Sequence, residues 1–547
     1  MTIHLLDLGA GNIRSLVNAV ESLGHKLEWI KSAEDIDNAE RILFPGVGNF
    51  GHVMQTLEKK GYADAVRRYI KADRPFMGIC VGLQVLFEGS EESESVPGLG
   101  FIPGKAKKFD SADKPVPHIG WNSAAVRSKT NRSVYGLRPH SKYYYVHSYA
   151  VPYRESEWEG WDVATGSYGN EQFIGAVAKG NLYATQFHPE KSGVAGLRTL
   201  KAFLEGNGLS SISGNATEIN ENSEGGLTKR IIACLDVRAN DAGDLVVTKG
   251  DQYDVREKTE GGEVRNLGKP VELAKRYYQD GADEVTFLNI TSFRDTPLAD
   301  TPMLEVLRKT SETVFVPLTI GGGIRDITDP DGTFHPAVEV AELYFKSGAD
   351  KVSIGSDSVL AAEQYYARGK KLDGTTAIES IARAYGVQAV VVSVDPKRVY
   401  VKDPSETTHH CIQPQDKGPN GEEWAWYQCT IKGGREGRDV DVRQLVTAVE
   451  AMGAGEILLN CMDKDGTNSG FDLALVKDVK DAVRIPVIAS SGAGKPEHFE
   501  EVFNQAGADA GLAAGIFHRR EVPIGDVKSY LTGKGLLVRD EDGSAAV

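Results

Sequence analysis

Gly348-Ala-Asp-Lys-Val-Ser-Ile-Gly355 returns as Gly507-Ala-Asp-Ala-Gly-Leu-Ala-Ala-Gly515, with its start 159 residues further along the chain. Each copy is a small-residue corner followed by a short run that ends at glycine, the pattern of a strand opening into a tight loop. The same 159-residue spacing relates Asp236, in Ala233-Cys-Leu-Asp-Val237, to Asp395, in Val392-Ser-Val-Asp-Pro396. Pro317-Leu-Thr-Ile-Gly-Gly-Gly323 returns as Pro486-Val-Ile-Ala-Ser-Ser-Gly492 at an offset of 169, and Gly281-Ala-Asp-Glu-Val285 as Gly453-Ala-Gly-Glu-Ile457 at 172. Loop insertions produce such drift, and Val399–Glu436 reads as one of them, with no motif that assigns it a role. About four strand–loop–helix units in each copy make eight, the count of a closed (β/α)8 barrel built from two similar halves. An open doubly wound sheet is the alternative, but it does not naturally yield matched units on each side.

Outward from the repeat, the clearest composition break is Gly206–Thr228, rich in Gly, Ser, Asn and Glu and poor in apolar residues. Such a stretch cannot bury enough surface to order itself and reads as a connector. It separates a first domain, residues 1–205, from a barrel at 229–547. In the first domain, expected strands at Ile3–Leu8, Arg41–Phe44, Pro75–Ile79, Tyr143–His147 and Leu182–Phe187 alternate with helical patterns at about Asn12–Leu23 and Val81–Phe87. That alternation predicts an α/β domain with a largely parallel sheet.

Composition narrows the function. The 547 residues carry 62 Lys plus Arg against 77 Asp plus Glu, a net charge of −15 that disfavours nonspecific nucleic-acid binding. Sixty glycines exceed the usual ~7% and point to backbone-lined ligand loops. The five cysteines are scattered without a CxxC pair, a reduced intracellular pattern. With neither a signal-like start nor an 18-residue apolar run, a cytoplasmic protein without a membrane span is expected.

Gly78-Ile-Cys-Val-Gly82 places Cys80 where a strand gives way to a helix, a position that raises a nucleophile on a tight turn. The helix start favours thiolate, and the Val81 amide could meet a tetrahedral oxyanion. Pro45-Gly-Val-Gly48 could supply a second such amide, at Val47 or Gly48. Phe187-His-Pro-Glu-Lys-Ser192 offers His188 as base, with Glu190 to orient it. Taken singly, a buried cysteine is more often inert packing and a His-x-Glu an exposed pair. In the second half, Asp236 and Asp395 suit general acid and base work at the barrel mouth, or cap a helix or begin a turn. Ile320-Gly-Gly-Gly-Ile324 with Ser353-Ile-Gly355, and Ser490-Ser-Gly-Ala-Gly494 with Ala513-Ala-Gly515, are duplicated loops able to expose amides to anions. A two-fold related pair of phosphate sites implies a substrate with phosphate at both ends. Candidate phosphate contacts are Gly322, Gly323, Ser353, Gly355, Ser491, Gly492, Ala514 and Gly515; the Ser490-Ser491 pair adds hydroxyls where the first copy has glycines.

PGVGNFG, GICVGLQ and QFHPEKSG, in that order and spacing, resemble a class I glutamine amidotransferase. The resemblance implies Cys80 as nucleophile, His188 as base, Glu190 as its orienting carboxylate and Gln84 as a contact to substrate glutamine. Arg230-Ile-Ile-Ala-Cys-Leu-Asp236, Gly348-Ala-Asp-Lys-Val-Ser353 and Asp463-Lys-Asp-Gly-Thr-Asn-Ser-Gly470 resemble the cyclase of imidazole glycerol phosphate synthase. The whole chain outside the connector is similar to the fused enzymes of histidine biosynthesis found in fungi and plants. The implied activity is glutamine hydrolysis in the first domain, with ammonia passed to the barrel for cleavage and ring closure of a bisphosphorylated ribotide. It implies Asp236 and Asp395 as cyclase acid and base, and Lys249 and Asp465 as substrate contacts. Arg230, Glu284, Lys351 and Glu456 each precede an apolar strand and fall at the barrel's bottom, where two cations and two anions form a neutral ring. Bottom-face residues usually serve stability; the resemblance implies a gate over an ammonia path. Tyr144, Asp350 and Lys191 are candidate interdomain contacts, and a misoriented Gly46–Gly48 loop is the candidate off state. The expected partners are small molecules, with no cofactor, metal, nucleic acid or separate subunit and a monomeric chain. An amidotransferase with another acceptor, a silent scaffold and a metal enzyme are the competing readings.

Overall fold

The computed structural model describes residues 2–9, 11–46, 48–127, 135–138, 140–206, 226–239, 245–248, 270–289, 298 and 302–540. Most of the connector, together with Val47 and Lys249, lies outside the described residues. The chain divides into two compact units, one built mainly from Met1–Thr228 and the other mainly from Lys229–Thr310 and Pro317–Val538.

The first unit is organised by an eight-stranded sheet in the order Leu27–Trp29, Ile3–Leu5, Arg41–Gly46, Phe76–Cys80, Leu182–Thr185, Glu171–Lys179, Asp162–Tyr168 and Ala125–Val126. The first five are parallel and the last three antiparallel, so the sheet is mixed where a largely parallel one was expected. Asp162–Tyr168 and Glu171–Lys179, which the sequence reading does not include, form a hairpin that supplies the antiparallel side. Tyr143–His147 does fall in a strand, Lys142–His147, but that strand pairs antiparallel with His118–Ser123 apart from the main sheet.

In the second unit, eight parallel strands close on themselves. In chain order they are Arg230–Ala239, Glu284–Asn289, Leu318–Gly321, Lys351–Ile354, Val390–Val394, Glu456–Asn460, Val487–Ser490 and Ala510–Ala513, and the last pairs with the first. Side chains alternate faces along a strand. Ile232, Cys234, Val391, Leu458, Ile488, Ala510 and Leu512 meet in one buried cluster. The same alternation puts Arg230 and Asp236 on the face of Ile232 and Cys234, Asp395 on that of Val391, and Glu456 and Asn460 on that of Leu458.

The repeated Gly-Ala-Asp corner has a structural task. Asp283, Asp350 and Asp509 accept hydrogen bonds from the amides of Ile231, Leu318 and Val487 respectively, each 2.8 Å. Each carboxylate thereby ties the start of its own strand to that of another. In the fourth copy, Gly455 stands where the aspartate would be: a Cβ there would lie 2.1 Å from the Val387 carbonyl, so the close backbone approach excludes a side chain.

The insertion after the fifth strand is larger than the expected Val399–Glu436. Strands Pro396–Val401, Cys411–Ile412, Trp424–Ile431 and Glu436–Asp441 form an antiparallel sheet that begins one residue after Asp395. Buried Arg398 fastens it to the loop after the sixth strand, donating to Asp472 Oδ2 at 2.6 Å, an atom that also accepts from Tyr427 Oη at 2.7 Å.

Asp283 is fully buried and takes a 2.6 Å hydrogen bond from Lys528 Nζ, itself 5% exposed. Asp283→Ala deprives that buried ammonium of its carboxylate and is expected to destabilise the barrel by about 3–5 kcal/mol in chemical denaturation. A loss below about 1 kcal/mol, the range of an exposed pair, would contradict the clamp.

Candidate functional site

The first site is built on a sharp backbone turn. Strand Phe76–Cys80 ends with Cys80 at φ 56°, ψ −109°, and a one-turn helix, Val81–Gln84, follows at once. Left-handed backbone is costly for a residue with a Cβ and persists only where its surroundings enforce it. Here they do, through backbone contact: a Cβ on Gly82 would sit 2.1 Å from the Phe44 carbonyl, and one on Gly78 2.4 Å from the Gly82 carbonyl. The expected helix to Phe87 stops at Gln84: the amides of Leu86 and Phe87 bond the carbonyls of Leu83 and Gln84, three residues back instead of four.

Register places Gly46 opposite Cys80, so the Gly46–Gly48 segment starts beside that residue. Val47 itself lies outside the described residues, and Gly48 adopts φ 103°. The Val81 amide opens the short helix and is one of those with no intrahelical acceptor. His188 Nδ1 donates to Glu190 Oε1 at 2.8 Å, and both residues are buried. The His188 backbone is held by the Tyr144 carbonyl at 2.9 Å and by Ser192 Oγ at 2.7 Å. Burial opposes charge on the imidazole, but the Glu190 carboxylate and the Cys80 thiol outweigh it and hold its pKa well above the usual histidine value. Cys80, His188 and Glu190 are thus brought together. Gln84 is buried, its amide nitrogen donating to the Tyr149 carbonyl at 3.0 Å and to Gln186 Oε1 at 3.1 Å. Tyr144 and Lys191 are buried, and Asp350 serves the strand clamp already described.

The second site is the mouth of the barrel, a cavity of about 490 Å³ whose lining includes Asp236, Asp395, Asp465, Asn460 and Ser353. Burial raises the Asp395 pKa above the usual aspartate value; the Asn460 hydrogen bond lowers it, and the charge of Asp465 adds to the rise. Asn460 Nδ2 donates to Asp395 Oδ1 at 2.8 Å and to Ser393 Oγ at 3.1 Å.

Both sets of glycine loops line this cavity, including Gly322, Gly323, Ser491 and Gly492. Ser491 keeps φ 75° where its repeat partner Gly322 has φ 96°, so the duplicated backbone shape survives the loss of glycine. Gly355 and Ala514 are helix N-caps without a side-chain cap, and the Ser353 hydroxyl is buried without a partner. Gly515 lines the cavity as well. Among the described residues no group of three or more His, Cys, Asp or Glu side chains converges as a metal site would require.

At the opposite end of the strands, Arg230, Glu284, Lys351 and Glu456 form the expected ring, each at most 1% exposed. Arg230 donates to Glu284 Oε2 at 2.9 Å and to Glu456; Lys351 Nζ reaches Glu284 Oε1 at 2.8 Å and Glu456 Oε2 at 2.7 Å. Thr319 Oγ1 donates to Glu284 Oε1 at 2.7 Å. Burial would raise the Glu456 pKa, but Arg230 and Lys351 reverse that and hold it below the usual glutamate value.

Two contributors had escaped the sequence reading. Gln186, between strand Leu182–Thr185 and His188, donates from Nε2 to Cys80 Sγ at 3.6 Å. Asn460 had a signal, since Asn289 and Asn460 each end a strand that begins with a ring glutamate, Glu284 or Glu456.

An elbow cysteine with a His–Glu pair, followed by a closed barrel with two carboxylates at its mouth, defines a glutamine amidotransferase joined to a (β/α)8 enzyme. Residues 4–205 match the family described as Glutamine amidotransferase class-I, and residues 230–523 that described as Histidine biosynthesis protein. A Schizosaccharomyces pombe protein named Imidazole glycerol phosphate synthase hisHF is 64% identical over 543 residues, covering 98% of this chain and 100% of the relative. An Arabidopsis thaliana protein of that name, marked chloroplastic, is 54% identical over 549 residues, 98% of this chain and 89% of its own. A Haloarcula marismortui protein named Imidazole glycerol phosphate synthase subunit HisF is 42% identical over 313 residues, 57% of this chain and 99% of its own. The chain belongs to the family of fused imidazole glycerol phosphate synthases.

A raised pKa means that ionised Asp395 is disfavoured in the folded state. The stability it contributes is therefore present at low pH and lost as pH rises through its folded pKa. Asp395→Asn is expected to raise the barrel's melting temperature, by a margin that is larger at pH ~8 than at pH ~4. An unchanged or lower melting temperature at the higher pH would contradict it.

Proposed function

We propose that the first unit hydrolyses glutamine and the barrel consumes the ammonia, converting a phosphoribulosyl-formimino-aminoimidazole carboxamide ribotide into imidazole glycerol phosphate and aminoimidazole carboxamide ribotide. The observation that carries this reading is the pairing, in one chain, of a Cys80–His188–Glu190 constellation with a barrel mouth bearing twin aspartates and twin glycine loops.

Cys80 thiolate attacks the amide carbon of glutamine, and the tetrahedral oxyanion is met by the Val81 amide and by one from Val47 or Gly48. Gln84 helps place the substrate. His188, kept protonated beside Glu190, gives its proton to the departing amine, so ammonia leaves and a thioester remains. His188 then takes a proton from water as it attacks the thioester. The C–S bond breaks, Cys80 thiolate and protonated His188 are restored, and the product acid gives its proton to solvent to become glutamate.

In the barrel, the loops around Gly322, Gly323, Ser353 and Gly355 hold one phosphate, and those around Ser491, Gly492, Ala514 and Gly515 the other. The unpartnered Ser353 hydroxyl and the uncapped amides at Gly355 and Ala514 support that assignment. Asp236 and Asp395 move protons during ammonia addition, cleavage and ring closure, while Asp465 and Lys249 contact the substrate. The raised Asp395 pKa suits it to hold a proton that an ordinary aspartate would lose. The ring of Arg230, Glu284, Lys351 and Glu456 gates ammonia entry, and ligand in the barrel accelerates glutamine hydrolysis. The active form is a monomer in the cytoplasm, with residues 1–205 and 229–547 as its two domains and 206–228 joining them.

The test follows release of aminoimidazole carboxamide ribotide with glutamine or ammonium as nitrogen donor. Cys80→Ala is expected to lose turnover with glutamine by at least about 1,000-fold and to keep turnover with ammonium within about twofold. Failure of wild type with both donors would remove the cyclase reading.

A further inference from the structure

Gln186 is fully buried on the residue after strand Leu182–Thr185, and its backbone is fixed by a 2.8 Å hydrogen bond to the Gly175 carbonyl. A buried amide must find partners on both ends. Its oxygen accepts from Gln84 Nε2 at 3.1 Å, which leaves the nitrogen facing Cys80 Sγ at 3.6 Å. We propose that Gln186 is a further catalytic residue of glutamine hydrolysis, donating its side-chain N–H to the Cys80 sulfur and favouring thiolate. This rests on the amidotransferase reading given above.

The orientation of that amide is set by the Tyr149 carbonyl, which can only accept, so Gln84 turns its nitrogen to it and to Gln186 Oε1. Behind that carbonyl, buried hydrogen bonds within the first unit hold it in place. Asn122 Oδ1 accepts from the amides of Ser123 and Gly226, at 2.8 and 3.1 Å, so its nitrogen is the end that faces His118 Nε2, at 3.2 Å. His118 Nε2 therefore accepts, and its Nδ1–H donates to His147 Nε2 at 3.1 Å. His147 Nδ1–H in turn donates to the Tyr149 carbonyl at 2.9 Å. That carbonyl also accepts from Gln84, and Gln84 donates to Gln186. Each histidine is used in one tautomer, and burial depresses both pKa values, that of His147 to about 3, so neither gains a proton that would break the chain.

The purely structural alternative is that Gln186 only fills space and satisfies its own amide. The two differ in what happens to the sulfur, because a donor beside it stabilises the anion more than the thiol. The ionisable groups around that sulfur are His188 and, behind it, Glu190; His147 is near enough that charge on His188 further disfavours its own protonation, so it stays neutral.

The full-length chain is compared with Gln186→Met, which keeps the volume and removes the donor, and with Gln186→Glu, which keeps the shape and sets a carboxylate against the sulfur. Alkylation of Cys80 by iodoacetamide is followed by mass spectrometry of its peptide between about pH 5 and 9, alongside kcat and KM for glutamine. Gln186→Met is expected to lower kcat about 10- to 100-fold, the range of a hydrogen bond to a charged group, with KM changed less than about threefold. The alkylation midpoint moves to higher pH in Gln186→Met and further in Gln186→Glu, so either variant that folds carries the test. Wild-type kcat and midpoint in a folded variant would overturn the proposal while leaving the amidotransferase reading intact. If wild type fails to hydrolyse glutamine, or Cys80→Ala still does, that reading falls and takes the proposal with it.

Discussion

Four charges closed off from water at the base of the barrel set a condition that the rest of the second unit must meet. Arg230, Glu284, Lys351 and Glu456 come from the first, second, fourth and sixth strands, and each is at most 1% exposed. Removing an ion from water costs several kcal/mol, and only close opposite charge offsets it. The strands must therefore hold a register that leaves every member of the ring with a partner. Strand alternation then carries that register to the other end. A strand that opens with Arg230 points Asp236 at the mouth, and one that opens with Glu456 brings Asn460 against Asp395. Asp395 differs from the ring glutamate Glu456 because its burial is offset by neutral hydrogen bonds from Asn460 and Ser393 and not by Arg230 and Lys351: its pKa rises where that of Glu456 falls.

The first unit solves a different problem, that of holding a nucleophile in strained backbone. Cys80 at φ 56° is kept there by backbone approaches that only glycine allows at Gly78 and Gly82. Several polar groups around it are paired, His188 with Glu190 Oε1, Gln84 with Gln186 and His118 with His147, while Glu190 Oε2 is buried without a partner among the described residues. A buried surrounding held by such pairs suits a group whose charge must develop at one place without reorganisation.

The repeat made the barrel legible because each Gly-Ala-Asp corner precedes a strand and binds it to another, so spacing in the chain maps onto spacing in the fold. Asp236 and Asp395 were legible for the same reason. Less visible were features that depend on contacts distant in sequence. The antiparallel course of the hairpin Asp162–Lys179 is set by its pairing with Leu182–Thr185, and the helix after Cys80 stops at Gln84 where the Leu86 and Phe87 amides bond carbonyls three residues back. The insertion is fixed by strand pairing and the Arg398–Asp472 contact, neither of which leaves a motif. Gln186 opens the QFHPEKSG motif, but the sequence does not show which way its amide faces; that depends on Gln84, a contact 102 residues away.

In the function proposed above a nitrogen atom passes from one activity to the other, and its path is the point on which the functional account turns. Glutamine labelled with 15N in its side-chain amide would be supplied together with an excess of unlabelled ammonium, and the isotope in imidazole glycerol phosphate measured by mass spectrometry. If ammonia released at Cys80 is handed to the barrel without entering solution, the product carries the label far above its share of the total pool. Product that simply mirrors the bulk isotope ratio would contradict the hand-off and leave two activities that merely share a chain.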